Sequence, residues 1–173
     1  MKKVMIGMVV SVVVLALSAP AFAQDDMAKR MNDVLSKGMT EGHWWVSAEE
    51  LNMWMKTGKT DFLVVDVRPS ATAFKLGHVP GAVHIPYNAI LAPENLAKLP
   101  KDKKLVLVCN TGQLQNLPVV PLRALGYDAA TLTLGYAAWT KGSMGAQQMQ
   151  SAIDKAAAKN YPVKTESVTP AEE

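Results

Sequence analysis

Cysteine is almost absent from this chain: Cys109 is the only one in 173 residues. A lone thiol excludes an internal disulfide and any cysteine-rich metal centre. Histidine is scarce, at three residues, and aromatic side chains make up 6%. His78 reads as a structural loop residue. His84 sits in a strand pattern with no second ligand beside it, so no metal site is expected. Charge of one sign is also missing. Eighteen basic residues face fifteen acidic ones, for a net charge of +3, and Lys2 and Lys3 supply two of those positive charges. So even a balance gives no reason to expect nucleic acid or an anionic membrane as a partner. Beyond residue 23 no apolar run approaches the ~20 residues a spanning helix needs, and no segment repeats.

The long apolar run that is present comes first. Met1-Lys2-Lys3 is a short basic start, Val4 to Ala19 is apolar apart from Gly7, Ser11 and Ser18, and Ala21-Phe22-Ala23 is a small-x-small box before polar Gln24-Asp25-Asp26. This is the pattern of a secretory signal peptide over residues 1–23, cleaved after Ala23. The expected location is the periplasm, with secretion as the alternative. The remaining residues, 24–173, suit one domain with a real core. Exported compartments oxidise thiols, and an unpaired cysteine there is either inert and buried or reactive.

Along the rest of the chain, residues 24–43 read as a helical extension, with Met27, Met31, Val34 and Leu35 on one face of a helix over Asp25–Lys37. Trp45-Val46 is a short strand. Ser47 and Glu50 form a capping box for a helix that buries Leu51, Trp54 and Met55 and stops at Gly58. Phe62 to Val67 is a second strand, Ser70 to Leu76 a short helix closed by Gly77, Ala82 to Ile85 a third strand, and Ala92 to Leu99 a short helix. Lys104 to Val108 is a fourth strand whose continuous apolar run predicts burial on both faces. Val119 to Leu125 is expected to be helical, with Pro118 and Pro121 pushing its start late, toward Pro121. A fifth strand is expected over Ala130–Leu134, then a turn at Gly135 into a helix that buries Trp139. A C-terminal helix falls within residues 143–160, and residues 161–173 form a polar, disordered tail. Strands alternating with helices predict an α/β fold: about five strands in a mostly parallel sheet, flanked by helices.

The chemistry gathers where the fourth strand ends. Cys109 closes it, and Asn110, Thr111 and Gly112 turn the chain. In an open α/β sheet ligands bind beyond the carboxyl ends of the strands, where Cys109 would sit. A loop that turns successive N–H groups inward makes an anion-binding nest, and the positive end of a following helix adds to it. Such a cradle would hold a thiolate, a persulfide formed on it, or the oxygens of a bound oxyanion.

Two further segments make the pattern specific. Asp66-Val67-Arg68 closes a strand, and Gly77-His78-Val79-Pro80-Gly81-Ala82-Val83-His84-Ile85-Pro86 follows it. Together these resemble the D-x-R and G-H-[IV]-x-G-A-x-x-I-P signatures of the rhodanese family. Leu125-Gly126-Tyr127 and Gly135-Tyr136-Ala137-Ala138-Trp139 resemble its closing motifs. The likeness runs from about Val46 to Lys141 and places a rhodanese-like domain at residues 44–142. It implies a sulfurtransferase that moves sulfane sulfur from thiosulfate or polysulfide to a thiol or cyanide through a Cys109 persulfide, with no cofactor. It also implies a substrate loop of Asn110, Thr111, Gly112, Gln113, Leu114 and Gln115, pocket support from Asp66 and Arg68, and a protein thiol as a further kind of sulfur acceptor.

The chain departs from the family pattern at three points. The loop carries Gln113-Leu114-Gln115 where a cation is common. Prolines enter the following helix. No acidic residue lies between Arg68 and Gly77, where a glutamate near Phe74 often pairs with the arginine. A charge-assisted hydrogen bond is worth about 1.5–3 kcal/mol, so a neutral loop turns the expected donor from thiosulfate toward polysulfide or a persulfide. The same departures support a second reading, a rhodanese-fold module that carries sulfur or binds a partner without turnover. A phosphatase or arsenate reductase on this fold would need an arginine at position 115 to clamp an oxyanion, and Gln115 stands there.

Overall fold

Residues 19–166 are described in the computed structural model. They divide into two compact units at the His43–Trp44 boundary. The first holds one long helix, α1 (Ala19–Gly38), which contains the expected Asp25–Lys37 segment. Within it Lys29 donates to Asp33 one turn on, at 2.8 Å, and that bond raises the pKa of the ammonium. The expected leader lies mostly outside the described residues, since 1–18 are not among them, and the expected cleavage point after Ala23 falls inside α1. No helix among the described residues is long and apolar enough to cross a membrane.

The second unit is a five-stranded, all-parallel sheet flanked by helices. Its strands are β1 (Trp45–Val46), β2 (Phe62–Asp66), β3 (Val83–His84), β4 (Lys104–Val108) and β5 (Asp128–Leu132), in the order β1-β5-β4-β2-β3. Between and after them come α2 (Ala48–Lys56), α3 (Ala71–Leu76), α4 (Pro93–Leu96), α5 (Val119–Ala124), α6 (Tyr136–Trp139) and α7 (Met144–Lys159). Serine side chains start three of these helices: Ser47, Ser70 and Ser143 accept the N–H of Glu50, Ala73 and Ala146. Each satisfies a donor that the first helical turn leaves without a backbone partner.

β4 is central, and strand alternation sends its side chains into two layers. Leu105, Leu107 and Cys109 join one core with Val65 and Val67 of the β2 segment and Val119 and Leu122 of α5. Val106 and Val108 join the other with Val46, Leu51 of α2, Ala130 and Leu132. Fully burying a Val or Leu side chain stabilises by roughly 1.5–3 kcal/mol, so β4 is the best-anchored strand and a rigid base for the cysteine loop at its end.

Two expectations are corrected. The fifth strand is Asp128–Leu132, two residues earlier than Ala130–Leu134. It begins where Asp128 aligns with Lys104, and the two side chains form a 2.7 Å ion pair. It ends because Leu134 takes a left-handed φ of 59° and the Gly135 N–H closes a turn on the Leu132 carbonyl. The helix after the cysteine loop starts at Val119, not near Pro121. Pro121 is its third residue, and the first intrahelical donor is the Leu122 N–H to Pro118. The missing proline N–H therefore forfeits no helical bond.

Residues 161–166 are exposed and without regular secondary structure, while the rest of the expected tail, 167–173, lies outside the described residues.

Candidate active site

Cys109 follows the last residue of β4, beyond the carboxyl end of the central strand. The residue is 1% exposed, and its side chain lies in the layer of Leu105 and Leu107. The thiol thus sits beneath the loop rather than at an open mouth. Its own peptide is fully engaged. The N–H donates to Oε1 of Gln115 at 2.8 Å, and the carbonyl accepts the Tyr136 N–H at 2.7 Å. The next carbonyl, of Asn110, accepts the Ala137 N–H at 2.9 Å. The first turn of α6 is therefore stitched to the cysteine loop through backbone bonds.

The N–H groups that follow Cys109, from Asn110 to Gln115, have no acceptor among the described residues. Asn110, Thr111 and Gly112 are partly buried and Gln113 is exposed; partly buried donors without partners are uncommon, and successive open donors are what an anion-binding nest presents. A 3₁₀ turn over Leu114–Asn116 then leads to α5. Gly112 has a φ of 92°, and a Cβ there would meet the Leu134 Cα at 3.3 Å. Gly135 is tighter: a Cβ would come within 2.8 Å of the Gly112 nitrogen and closer still to the Cys109 carbonyl oxygen. A Cβ on Gly145, in the first turn of α7, would collide with the carbonyl of Asn110. Three glycines thus let the Leu134–Gly135 turn and the start of α7 close on one short loop.

Asp66 and Arg68 lie together on the neighbouring strand exit, 1% and 4% exposed. Arg68 Nε donates to both carboxylate oxygens of Asp66 at 2.9 and 3.0 Å, and one terminal nitrogen reaches Oδ2 at 2.6 Å. That same nitrogen donates to the Gly77 carbonyl at 2.7 Å. Asp66 takes the place of the glutamate that the resemblance implies near Phe74. The guanidinium also lies 4.8 Å from the centroid of the Tyr136 ring, and Tyr136 holds the Cys109 carbonyl. His84 Nε2 donates to the Arg68 carbonyl, and His78 Nδ1 to the Phe74 carbonyl, each at 2.8 Å. Carbonyls only accept, so both ring nitrogens carry protons. The two imidazoles stack on Phe74, at centroid distances of 3.9 and 5.0 Å, and both serve the frame.

The expected site residues thus fall into distinct places. Cys109, Asn110, Thr111, Gly112 and Gln113 form the loop. Leu114 is half-buried and packs on the core. Gln115 is 1% exposed and points inward, its amide bonded to Cys109 and to the Leu132 carbonyl, so it braces the loop instead of lining it. Asp66 and Arg68 support Tyr136 from behind. Tyr136, read in the sequence only as part of a closing motif, joins the site, as does Gly145, which was not singled out. For Gly145 one signal exists, a glycine inside the first turn of an otherwise strong helix former, where a packing reason is expected.

Fold and site together define a parallel α/β domain with one cysteine beyond the carboxyl end of its central strand, beneath a loop without charged side chains. The model of the rhodanese-like domain matches residues 47–142, and the chain belongs to that family. A rhodanese-like domain protein of Staphylococcus aureus superposes with a TM-score of 0.50 at 29% identity, over 57% of this chain and 93% of its own. A protein of Bacillus halodurans does so at 0.51 and 25%, over 62% and 79%. Among curated proteins, the probable adenylyltransferase/sulfurtransferase MoeZ of Mycobacterium tuberculosis is 34% identical over 97 residues, 56% of this chain. The tRNA sulfurtransferase of Desulfurococcus amylolyticus is 35% identical over 82 residues, 47% of this chain. The matched region spans 24% and 16% of the length of those two relatives.

Proposed function

We propose that this protein is an exported sulfurtransferase that carries sulfane sulfur as a persulfide on Cys109. The observation that carries the reading is the run of N–H groups without a protein acceptor on the loop that directly follows the one thiol of the chain. Curated relatives named as sulfurtransferases support it, and the basic, apolar and Ala-Phe-Ala segments of residues 1–23 support export.

The chemistry requires two displacements. The Cys109 thiolate attacks the terminal sulfur of a donor R–S–S⁻; the donor's S–S bond breaks, R–S⁻ leaves with the electron pair, and Cys109 holds S–S⁻. An acceptor thiolate or cyanide then attacks the outer sulfur, and Cys109 leaves as the thiolate. The sulfur moves without net oxidation, so no cofactor is required. The nest N–H groups hold the negative outer sulfur between the steps. Because the loop offers no cation, a persulfide or polysulfide, which brings one charge at its reacting end, suits it better than compact, doubly charged thiosulfate. The thiol is enclosed, so the Asn110–Gln113 loop shifts to admit the donor.

That enclosure, together with the neutral loop, favours a second reading: a rhodanese-fold module that holds sulfur or a partner without turnover. Thiocyanate production from cyanide separates the two. The first reading expects turnover with polysulfide, at least tenfold weaker turnover with thiosulfate (the value of about one charge-assisted bond), and none in Cys109→Ala. Folded protein that turns over neither donor supports the module.

A further inference from the structure

Gln115 is the only buried polar side chain on the cysteine loop among the described residues. Its Oε1 accepts the Cys109 N–H, and its Nε2 donates to the Leu132 carbonyl. The amide cannot be turned over, because a flipped group would set donor against donor and acceptor against acceptor. One neutral side chain therefore ties the exit of β4 to the exit of β5. In doing so it takes the backbone donor of the cysteine itself. Gly135 makes the room, since a Cβ there would lie 3.1 Å from Oε1.

We propose that Gln115 is a positioning and specificity-determining residue of the Cys109 site. It withholds the Cys109 N–H from the bound sulfur species, leaves the Asn110–Gln115 N–H groups as the backbone donors, and thereby selects persulfides and polysulfides, which bring one charge at the reacting end, over thiosulfate, which brings two on one small ion. The inference rests on the sulfur-transfer reading for its substrates. Its geometry stands independently, in the way one amide spends the Cys109 donor and leaves those that follow it on the loop open. Two charges on one small ion need more donors than one charge to replace their hydration, so thiosulfate loses more when one is withheld.

Thiosulfate titration of the ¹⁵N-labelled protein, followed through backbone amide signals, tests this without turnover. In the wild type the signals of Asn110 to Gln115 are expected to move while that of Cys109 stays fixed. Gln115→Asn is too short to span both partners. In it the Cys109 signal is expected to join the others and thiosulfate to bind about tenfold more tightly, the value of one N–H given to an anion. A Cys109 signal that moves with its neighbours in the wild type overturns the proposal. So does unchanged thiosulfate affinity in Gln115→Asn, or the absence of any shift in either protein. If Gln115→Asn does not fold, Gln115→Met keeps the side-chain length and removes both amide groups, so the Cys109 signal is expected to move there too; a Cys109 signal that stays fixed in it overturns the proposal. Polysulfide-to-cyanide turnover, read on the same samples, keeps the two ideas apart. Turnover without the expected shifts removes the role of Gln115 alone. The expected shifts without turnover remove the sulfurtransferase alone.

Discussion

Replacing Arg68 with methionine is expected to destabilise the domain by about 3–5 kcal/mol, because it strands a buried carboxylate. Asp66 is 1% exposed, and Arg68 supplies both of its charge-assisted side-chain partners. Removing the guanidinium leaves Asp66 only the Arg68 backbone N–H, at 3.0 Å. It also frees the Gly77 carbonyl and the face of Tyr136. For a domain of this size the loss corresponds to a fall in melting temperature of roughly 10 °C. The double variant Asp66→Asn/Arg68→Met buries no charge, so it is expected to be more stable than Arg68→Met alone. Urea denaturation of the three proteins checks this. A cost below about 1 kcal/mol for Arg68→Met would assign the pair the weak value of a solvated surface ion pair and contradict its place in the frame.

Gly135→Ala carries the second large effect, expected at about 2–5 kcal/mol from backbone strain and overpacking combined. Gly135 has φ 59° and ψ −148°, a region open to glycine almost alone. The added Cβ would also drive into the Cys109 carbonyl and the Gly112 nitrogen, which are backbone atoms without rotamers to yield. Gly81→Ala is the control, because Gly81 shares the left-handed φ, at 74°, but has nothing within 4 Å of its would-be Cβ. Gly81→Ala pays for strain only, at about 1 kcal/mol, and should leave sulfur loading intact. Gly135→Ala should lose loading as well as stability, since the loop must move to accept the methyl group. Equal costs at the two sites would show that the close approach at Gly135 carries no energy.

Much of the frame was legible in the sequence because it rests on local patterns. The Leu105–Val108 run identifies a strand buried on both faces, and alternation along it already places Cys109 in one core layer. Ser47 with Glu50 three residues on marks the start of α2. Asp66-x-Arg68 puts both side chains on one exit of β2, and the pair closes on itself. The features that were not legible are tertiary. The inward turn of Gln115 depends on the Leu132 carbonyl, seventeen residues on. A polar residue in a polar loop gives no sign of a buried bond of that range. The contact of Gly145 with Asn110 depends on where α7 docks. The start of β5 depends on the alignment of Asp128 with Lys104 across the sheet, which an apolar run such as Ala130–Leu134 does not encode. Proline, read by rule as a late helix start, instead occupied a position where its missing N–H has no consequence.

The most direct measurement is the mass of the protein after incubation with polysulfide under non-reducing conditions, with peptide mapping of the modified residue. The account predicts a gain of about 32 Da, one sulfur atom, located on Cys109, removed by cyanide with release of thiocyanate, and absent from Cys109→Ala. Protein that stays folded and unmodified with every sulfane donor tried would contradict the account, and would identify the enclosed thiol as part of the core of a binding module.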